Sequence, residues 1–394
     1  MIKKAVILAA GEGRRLKPFT EAIPKVMLPV ANRPILDHVL DSVRKNGIED
    51  IIMVVGYKKE SIMDYFRDEE DITYVFQDKQ LGTALALLQA KEYIDEPFVV
   101  LPGDNIIDQT SIRKLMNSKS DISILIKEHQ HPSKYGVVFL EEKRIKKIVE
   151  KPTDGTNRFI STGIYKFPVS IFSEIEELSS QGVYDLTSVL QTLLNQGEEI
   201  EAVIAERWMD IVYPWDIINI NEMMIRSIAS STAGVIEKNV IIKGNVLIGK
   251  NTVIYSGSYI QGPAVIGEGC EIGPNVCIFP STVIGNNVTI HPFSDIRNSV
   301  IMDETRIGSN ASISNSVIGR GNTIDSHFST ISGRSIIEIE GEFNEVEDIG
   351  AIIGEDCNIG SHVVIESGKI IGRRCDIDSL KRIIKDIPSE RKVM

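Results

Sequence analysis

The sequence predicts an α/β domain built on a mainly parallel sheet, followed by a parallel β-helix. From residue 1 to about 227, short β-rich runs alternate with helical patterns, which is typical of a sheet with helices on both faces. From Ile236 to Ile296 an isoleucine recurs every six residues, a period that a helix cannot use and that indicates hexapeptide repeats. A small-residue segment separates the two patterns, so we expect domains at 1–230 and 231–394.

The composition and net charge argue against two classes of binding partner, nucleic acids and membranes. The chain has 394 residues and a net charge of −12, so as a whole it repels nucleic acid and anionic membranes. No apolar run approaches the roughly 18 residues of a membrane span, and the first apolar run ends at Gly11 without a cleavage-like site. The four cysteines lack C-x-x-C spacing. We therefore expect a cytoplasmic protein that binds neither nucleic acid nor membranes.

Two motifs near the N-terminus predict a phosphate-binding site. The first apolar run breaks into Gly11 and Gly13, and Arg15 follows at once. Glycines let backbone N–H groups approach an anion, and an arginine can donate two hydrogen bonds to phosphate oxygens. Ten residues further on, Lys25 lies between two prolines, which provide a rigid mount for one positive charge.

These motifs resemble those of the sugar-nucleotide nucleotidyltransferases, which join a sugar 1-phosphate to a nucleoside triphosphate and release pyrophosphate. The resemblance implies a Rossmann-like nucleotidyltransferase domain in which the glycines wrap the triphosphate. It implies that Arg15 and Lys25, the catalytic residues, neutralise the triphosphate and the sugar phosphate. In the family, a glutamine-rich turn after a strand reads the base. The nucleotide-binding residues implied in this way are Leu8, Ala10, Gly11, Gly13, Gln77, Gln80, Gly82 and Thr83.

A pair of carboxylates predicts a Mg²⁺ site. Asp104 follows a buried apolar run, at the end of a strand where α/β sheets bind ligands. A carboxylate there would repel a triphosphate unless a cation lay between them, and Mg²⁺ takes one or two carboxylates together with phosphate oxygens and water. The alternative is that Asp104 caps the loop at Asn105. The family's second ligand comes two residues after a tryptophan, which is Asp210; Asp216 is assigned instead to the start of the next helix.

The resemblance also implies a set of sugar-binding residues. Gly136 would let a pyranose approach the backbone, Glu150 would bind paired sugar hydroxyls, and Ser161 completes the set. The alternative for Glu150 is a solvated turn pair with Lys151. Many relatives specific for N-acetylglucosamine carry asparagine where this chain has Ser161, so the choice between glucose and N-acetylglucosamine stays open, as does the choice between UTP and dTTP.

The repeats predict the details of the second domain. Their period slips after Met302, resumes loosely and breaks at 333–348, an acidic insertion expected to form a protruding loop. It returns from Ile353, so that about seven coils of roughly 18 residues fit the region. Apolar residues at helical spacing in the tail 379–394 predict a short amphipathic helix that caps the open end.

The two domains together resemble one subgroup of the family. It includes archaeal-type enzymes such as glucose-1-phosphate thymidylyltransferases, and the bifunctional N-acetylglucosamine-1-phosphate uridylyltransferase/glucosamine-1-phosphate acetyltransferase. The resemblance implies a left-handed parallel β-helix and a homo-oligomer, a trimer or a multiple of it. In that subgroup the β-helix can acetylate an amine from acetyl-CoA with a histidine as general base, and His291 and His327 are the candidates, with His362 as a third.

Three functions follow from the sequence. The leading one is Mg²⁺-dependent transfer of a nucleotidyl group from UTP or dTTP to glucose or N-acetylglucosamine 1-phosphate. The second adds acetyl transfer, although the Asn-Leu-Arg segment that accompanies this activity is missing, so the β-helix either acetylates or only oligomerises. The third is a non-catalytic regulatory relative. Such relatives tend to lose the charged loop or the metal carboxylates, which this chain keeps.

Overall fold

The computed structural model describes residues 2–130, 132–141, 144–150 and 158–394. The chain folds into two compact units. The first consists of residues 1–12, 24–27 and 35–210, and the second of residues 13–23, 28–34 and 211–394. The repeats begin at Ser231, whereas the second unit already begins at residue 211 and also includes two short N-terminal segments.

A nine-stranded sheet forms the centre of the first unit. Its strands lie in the order Ile72–Phe76, Asp50–Val55, Lys4–Ala9, Phe98–Pro102, Phe159–Phe167, Ile122–Glu128, Ile200–Ile204, Arg144–Glu150 and Gly136–Glu141. Seven of these strands run in one direction, and the two that run against them are Phe159–Phe167 and Arg144–Glu150. The sheet is therefore mainly parallel, as predicted.

Helices cover both faces of this sheet because its central strands are apolar on both sides. Val6 packs in one apolar cluster, whereas its neighbours Ala5 and Ile7 pack in the other. One face carries Ile35–Arg44, Lys59–Tyr65 and Gln109–Met116, and the other Thr83–Leu88, Ile171–Ser180 and Leu186–Asn195. In the part of the chain that the structure describes, no helix is both long and apolar enough to cross a bilayer.

Shorter elements complete both units. A two-stranded antiparallel ribbon, Asn105–Ile107 with Trp208–Asp210, lies in the first unit. The second unit contains the helix Asp216–Ile225 and the small antiparallel pair Pro29–Val30 and Arg33–Pro34. The 3₁₀ turns are Arg14–Leu16, Phe19–Glu21, Lys25–Met27, Lys91–Tyr93 and Pro132–Lys134.

Three parallel sheets form the β-helix of the second unit. The first contains Ser231–Thr232, Val246–Ile248, Ala264–Ile266, Thr282–Ile284, Val300–Ile301, Val317–Ile318, Ile352–Ile353 and Ile370–Ile371. The second contains Val235–Ile236, Val253–Ile254, Glu271–Ile272, Thr289–Ile290, Arg306–Ile307, Thr323–Ile324, Asn358–Ile359, Asp376–Ile377 and Lys392–Val393. The third contains Ile241–Lys243, Tyr259–Gln261, Cys277–Ile278, Asp295–Arg297, Ser312–Ser314, Ser329–Thr330, Val364–Ile365 and Arg382–Ile383. The isoleucines stack inside in one continuous core, which confirms the predicted fold class.

The register slip has a precise position in the coils. Ile248 pairs with Ile266, eighteen positions on, but Ile284 pairs with Ile301, only seventeen positions on. This coil is thus one residue shorter than the coils before it. The shortening occurs before Met302, in the turn at Asn298, where φ is +40°. A shorter turn keeps the isoleucines stacked although their spacing in the sequence changes.

The insertion and the tail differ from the expected loop and helix. Gly333–Ile339 and Glu342–Ile349 form an antiparallel hairpin between two coils. The predicted C-terminal capping helix is wrong, because Ile383 pairs with Ile365 as a further rung of the third sheet. Ile383 lies six residues after Ile377 and is 5% exposed, so the repeat period prevails over the helical spacing of the tail.

Candidate active site

The strand Lys4–Ala9 ends at the first half of the predicted phosphate loop. The Ala10 carbonyl accepts hydrogen bonds from Gln80 Nε2 at 2.6 Å and from the Tyr57 N–H at 3.1 Å, which together hold the loop backbone. No atom lies within 4 Å of the place that a Cβ of Gly11 would take. The backbone at Gly11 is therefore open to an approaching ligand. Gln80, predicted to bind the nucleotide, also supports the loop.

A cavity of about 410 Å³ lies beside this loop in the first unit. Its lining is Glu12, Val55, Gly56, Tyr57, Lys59, Phe76, Gln77, Asp78 and Gln80. The Gln77 side chain is 8% exposed, and its Nε2 has no hydrogen-bond partner among the described residues. A buried donor without a partner costs free energy, so the Gln77 amide is suited to a ligand that accepts a hydrogen bond.

Two of the predicted nucleotide-binding residues pack against the loop before the helix Leu186–Asn195. A Cβ on Gly82 would come within 2.2 Å of the Tyr184 carbonyl oxygen, and φ is +145° here, so only glycine fits. The Thr83 hydroxyl oxygen accepts a hydrogen bond from the Leu186 N–H at 3.0 Å. In this structure both residues therefore contact the loop before the helix Leu186–Asn195, at the edge of the site.

Lys25 lies between the two predicted metal ligands. Its Nζ is 2.6 Å from Asp104 Oδ2 and 2.8 Å from Asp210 Oδ1. All three side chains are mostly buried, with 13%, 28% and 14% of Lys25, Asp104 and Asp210 exposed. Burial alone would lower the pKa of Lys25, but the charges of Asp104 and then Asp210 outweigh it and raise the pKa above its ordinary value. The lysine is therefore a fixed positive charge.

The short antiparallel ribbon explains why these carboxylates meet. Asp210 is the cross-strand partner of Asn105, which follows Asp104 in the chain. Asn105 Nδ2 donates a hydrogen bond to Asp104 Oδ1 at 3.2 Å, while the buried Asn105 Oδ1 has no partner among the described residues. Sequence reasoning missed Asn105 as a site residue; its position directly after the candidate metal ligand was the signal.

Asp216 lies at the start of the helix that follows Asp210. This helix is Asp216–Ile225, and the Asp216 Oδ2 accepts hydrogen bonds from the N–H groups of Val212 and Tyr213 at 2.9 and 2.8 Å. Asp216 thus shapes the loop that follows Asp210.

The donor set at Asp104 and Asp210 fits Mg²⁺. Two carboxylates that converge on one ammonium can also face a divalent cation, with phosphate oxygens and water as the other ligands. No cluster of three or more His, Cys, Asp or Glu side chains occurs within residues 2–130, 132–141, 144–150 and 158–394, so a closed protein cage of the kind used for structural zinc does not arise there.

The predicted sugar residues meet in the first unit. Gly136 is the cross-strand partner of Glu150, and a Cβ on Gly136 would lie 3.1 Å from Glu150 Oε2 and 3.3 Å from Thr187 Cγ2. Thr187 was missed by sequence reasoning, because only the tertiary fold brings it beside this strand pair. Lys151, the predicted turn partner of Glu150, lies outside the described residues.

Ser161 is linked to the same group of side chains through Tyr165. The Ser161 and Tyr165 hydroxyl oxygens are 3.3 Å apart, and Tyr165 is 4% exposed. Burial raises the pKa of Tyr165 to about 12, although hydrogen bonds with Ser161 and Thr187 act in the opposite direction. The tyrosine is therefore neutral, and its hydroxyl joins Ser161 and Thr187 in one polar group.

Gly13 and Arg15 lie in the second unit. Gly13 has a φ of +73°, which glycine adopts without strain, and begins the 3₁₀ turn Arg14–Leu16. Arg15 Nε is 3.5 Å from Glu340 Oε2 at the tip of the insertion hairpin. Both side chains are more than a third exposed, so this ion pair is weak enough for an anionic ligand to replace.

The histidines of the β-helix differ in their surroundings. His291 Nε2 accepts a hydrogen bond from Arg306 Nε at 3.1 Å, which occupies the lone pair that a general base would use. The rings of His327 and His362 stack with centroids 4.4 Å apart, on neighbouring coils. Of the two predicted candidates, His291 is therefore engaged by Arg306, whereas His327 stacks on His362.

The chain is similar to several known proteins. Residues 4–227 match the family described as nucleotidyl transferase, and residues 260–346 match the GMPPB C-terminal domain. The chain is 36% identical over 392 residues to a bifunctional protein GlmU from Methanococcus maripaludis, covering 95% of this chain and 94% of that protein. It is 32% identical over 389 residues to a bifunctional sugar-1-phosphate nucleotidylyltransferase/acetyltransferase from Sulfurisphaera tokodaii, covering 94% of each.

A solved structure is similar to the first part of the chain. It is a protein from Bacillus anthracis assigned as a glucose-1-phosphate thymidylyltransferase, with a TM-score of 0.53 and 27% identity over 58% of this chain and 97% of that one. The matched segment, the sheet and the paired carboxylates lead to one conclusion: this chain belongs to the nucleotidyl transferase family, with a C-terminal β-helix attached.

Proposed function

We propose that the chain transfers a nucleotidyl group from UTP or dTTP to a sugar 1-phosphate and releases pyrophosphate. The observation that carries the proposal is the Lys25 ammonium held by Asp104 and Asp210 at the edge of the sheet. The names of the relatives from Sulfurisphaera tokodaii and Bacillus anthracis support the substrate class. An oxygen of the sugar phosphate forms a bond to the α-phosphorus, and the bond to pyrophosphate breaks.

The protein supplies charge and position in this reaction. Lys25 keeps its proton, so it can donate hydrogen bonds to phosphate oxygens throughout the transfer. Arg15 adds a guanidinium once the triphosphate displaces Glu340. No nucleophilic side chain is needed, because the sugar phosphate is itself the nucleophile.

Asp104 and Asp210 are the residues that would hold Mg²⁺. When bound, the ion would neutralise charge on the phosphate oxygens. Asn105 supports this role, since its Nδ2 orients the Asp104 carboxylate and its Oδ1 is left without a protein partner among the described residues.

The base and the sugar would use two different sets of groups. The buried Gln77 amide suits a pyrimidine carbonyl, and Gln80 holds the loop around it. Gly136, Glu150 and Ser161 would receive the sugar, with Tyr165 and Thr187 beside them. We expect glucose or N-acetylglucosamine 1-phosphate as the acceptor.

The test is a matrix of assays. The purified protein is incubated with Mg²⁺, one nucleoside triphosphate and one sugar 1-phosphate at a time, and pyrophosphate release is measured. Release with UTP or dTTP and one hexose 1-phosphate is expected and identifies the substrates. No release with any pair would contradict the proposal and favour a regulatory, non-catalytic protein.

Acetyl transfer is the second candidate activity, favoured by the name of the Sulfurisphaera tokodaii relative and by the position of His327. Acetyl-CoA would then be a co-substrate. With glucosamine 1-phosphate present, free thiol should appear, and His327→Ala should reduce its rate while His291→Ala should not. If no thiol appears, the β-helix is not an acetyltransferase under these conditions.

The proposal includes a cytoplasmic enzyme that assembles through the β-helix. A trimer or a multiple of it would have three or more times the chain mass of 43.7 kDa in light scattering. A mass of one or two chains would contradict this part of the proposal.

A further inference from the structure

The last coils of the β-helix bind one residue of the segment 13–23. Arg373 Nη1 donates a hydrogen bond to the Glu21 backbone carbonyl at 3.3 Å, and Ser389 Oγ donates one to Glu21 Oε2 at 2.7 Å. The Arg373 N–H in turn donates to Ser389 Oγ at 3.0 Å. Two adjacent rungs thus hold both the backbone and the side chain of Glu21.

A second set of contacts joins Thr20, the residue before Glu21, to Gly13. Glu21 ends the 3₁₀ turn Phe19–Glu21, and the preceding Thr20 is only 1% exposed. Thr20 Oγ1 donates a hydrogen bond to the Gly13 carbonyl at 2.9 Å, and the Leu16 N–H donates to the same oxygen at 3.0 Å. These bonds orient the peptide that follows Gly13, two residues before Arg15.

We propose that Glu21, Arg373 and Ser389 are positioning residues for the phosphate-binding segment, so that the end coils of the β-helix set how Arg15 meets the triphosphate. The inference rests on the proposed function only for the role of Arg15. The contacts themselves lie within the second unit. The β-helix is thereby part of the nucleotidyl-transfer machinery in this chain.

The character of Arg373 supports this role. Its side chain is 20% exposed, and its Nε is buried without a hydrogen-bond partner among the described residues. Its carboxylate neighbour, Asp356, lies 3.7 Å away and is half exposed, so that pair is weak. Burial of a guanidinium carries a desolvation cost, so Arg373 contributes little to the free energy of folding. Its hydrogen bond instead fixes the position of the Glu21 carbonyl.

The next residue provides a matched control. Arg374 pairs with Glu390 on the β-helix itself and both side chains are more than half exposed. Arg374→Ala therefore removes the same side chain from the same rung without touching segment 13–23. Thr20→Val provides a second probe, because it removes the hydroxyl that binds the Gly13 carbonyl and keeps the side-chain shape.

The first measurement is steady-state pyrophosphate release by the full-length chain. In Arg373→Ala and Ser389→Ala the KM for the nucleoside triphosphate should rise about tenfold, as expected for lost hydrogen bonds at a charged group, while the KM for the sugar 1-phosphate stays within about twofold. Arg374→Ala should resemble the wild type. Arg373→Lys should recover part of the loss, and Arg373→Ala combined with Thr20→Val should be less than additive.

The second measurement does not depend on activity. Amide hydrogen exchange in residues 13–23 should be faster in Arg373→Ala than in the wild type and unchanged in Arg374→Ala. Unchanged exchange and an unchanged KM in Arg373→Ala would overturn the inference. If exchange is faster in Arg373→Ala than in the wild type but the wild type releases no pyrophosphate, the result would support the anchoring and contradict the proposed function alone. If Arg373→Ala does not fold, the exchange and KM of Ser389→Ala decide the question.

Discussion

The buried Asn322 of the β-helix core and the buried Gln77 and Asn105 of the α/β unit differ in the hydrogen bonds that their side chains make. In the β-helix, Asn322 Nδ2 donates to the carbonyls of Gly319 and Gly354, and its Oδ1 accepts from the Cys357 N–H. At the α/β site, the Gln77 Nε2 and Asn105 Oδ1 atoms are buried without partners among the described residues. A satisfied polar group stabilises a structure, whereas an unsatisfied one at a strand end is available to a ligand.

The two regions also differ in the distance along the chain between the residues in contact. Stacked isoleucines of the β-helix are usually seventeen or eighteen positions apart, as in Ile248 with Ile266 and Ile284 with Ile301. Asp104 and Asp210 meet across more than a hundred residues. Substitutions should therefore separate the regions: changes at the carboxylates should alter activity, and changes of the core isoleucines in the coils should alter stability.

The largest expected effect is on activity. Asp104→Asn removes one carboxylate charge while Asp210 still holds Lys25, so the fold should persist. We expect pyrophosphate release to fall by about 10²–10³-fold, because charge stabilisation of the transition state is lost. Asp68→Asn, at a carboxylate that is 94% exposed, is the control and should leave turnover unchanged. Equal turnover in the two variants would contradict the assignment of Asp104 to the active site.

The next effect is on stability. Ile318 is fully buried in the β-helix core, so Ile318→Ala should lower the free energy of unfolding by about 3 kcal/mol through lost burial and a cavity. Circular dichroism during denaturant titration measures this change. Ile336→Ala, at a side chain that is 66% exposed on the hairpin, should change it by less than about 0.5 kcal/mol. Turnover at 25 °C should be the same in both variants. A large loss of turnover in Ile318→Ala alone would contradict the expectation that the β-helix core affects stability and not activity.

A third effect depends on pH. The folded pKa of Tyr165 is raised to about 12, whereas the unfolded phenol ionises near pH 10, so the folded state binds this proton more tightly. Its stabilising contribution is present below pH 10 and is lost as the pH rises towards 12, by up to about 3 kcal/mol. Tyr165→Phe should remove this part of the alkaline loss. Parallel stability curves for the wild type and Tyr165→Phe from pH 9 to 12 would contradict the assignment.

The smallest contrast tests the tail. Ile383 is 5% exposed as a rung of the β-helix, whereas Ile384 is 61% exposed. Ile383→Ser should lower the thermal midpoint by several degrees, and Ile384→Ser should leave it within about 1 °C, since surface changes cost little. In a helix both residues would lie on the apolar face. Equal effects of the two substitutions would therefore support the predicted capping helix and contradict the β-helix rung.

Several parts of the fold and the site could be predicted because they depend on local sequence. The six-residue isoleucine period defines the β-helix, and the apolar run before Asp104 defines a strand that ends at a ligand edge. The prediction of a tail helix was wrong because the apolar residues of the tail fit both helical spacing and the six-residue period. The pairing of Ile383 with Ile365 shows that the six-residue period prevails. Thr187 could not be found, since its neighbour Gly136 lies far away in the sequence.

The sequence by itself determined the two folds, the phosphate motif and the candidate carboxylates, because hydrophobic period and strand-end position are properties of short stretches of chain. Only the tertiary structure decided that Lys25 lies between Asp104 and Asp210, and that Glu21 is held by Arg373 and Ser389. The physical reason is that side-chain hydrogen bonds and ion pairs act over about 3 Å in space, and the packing of distant segments brings their groups within that range.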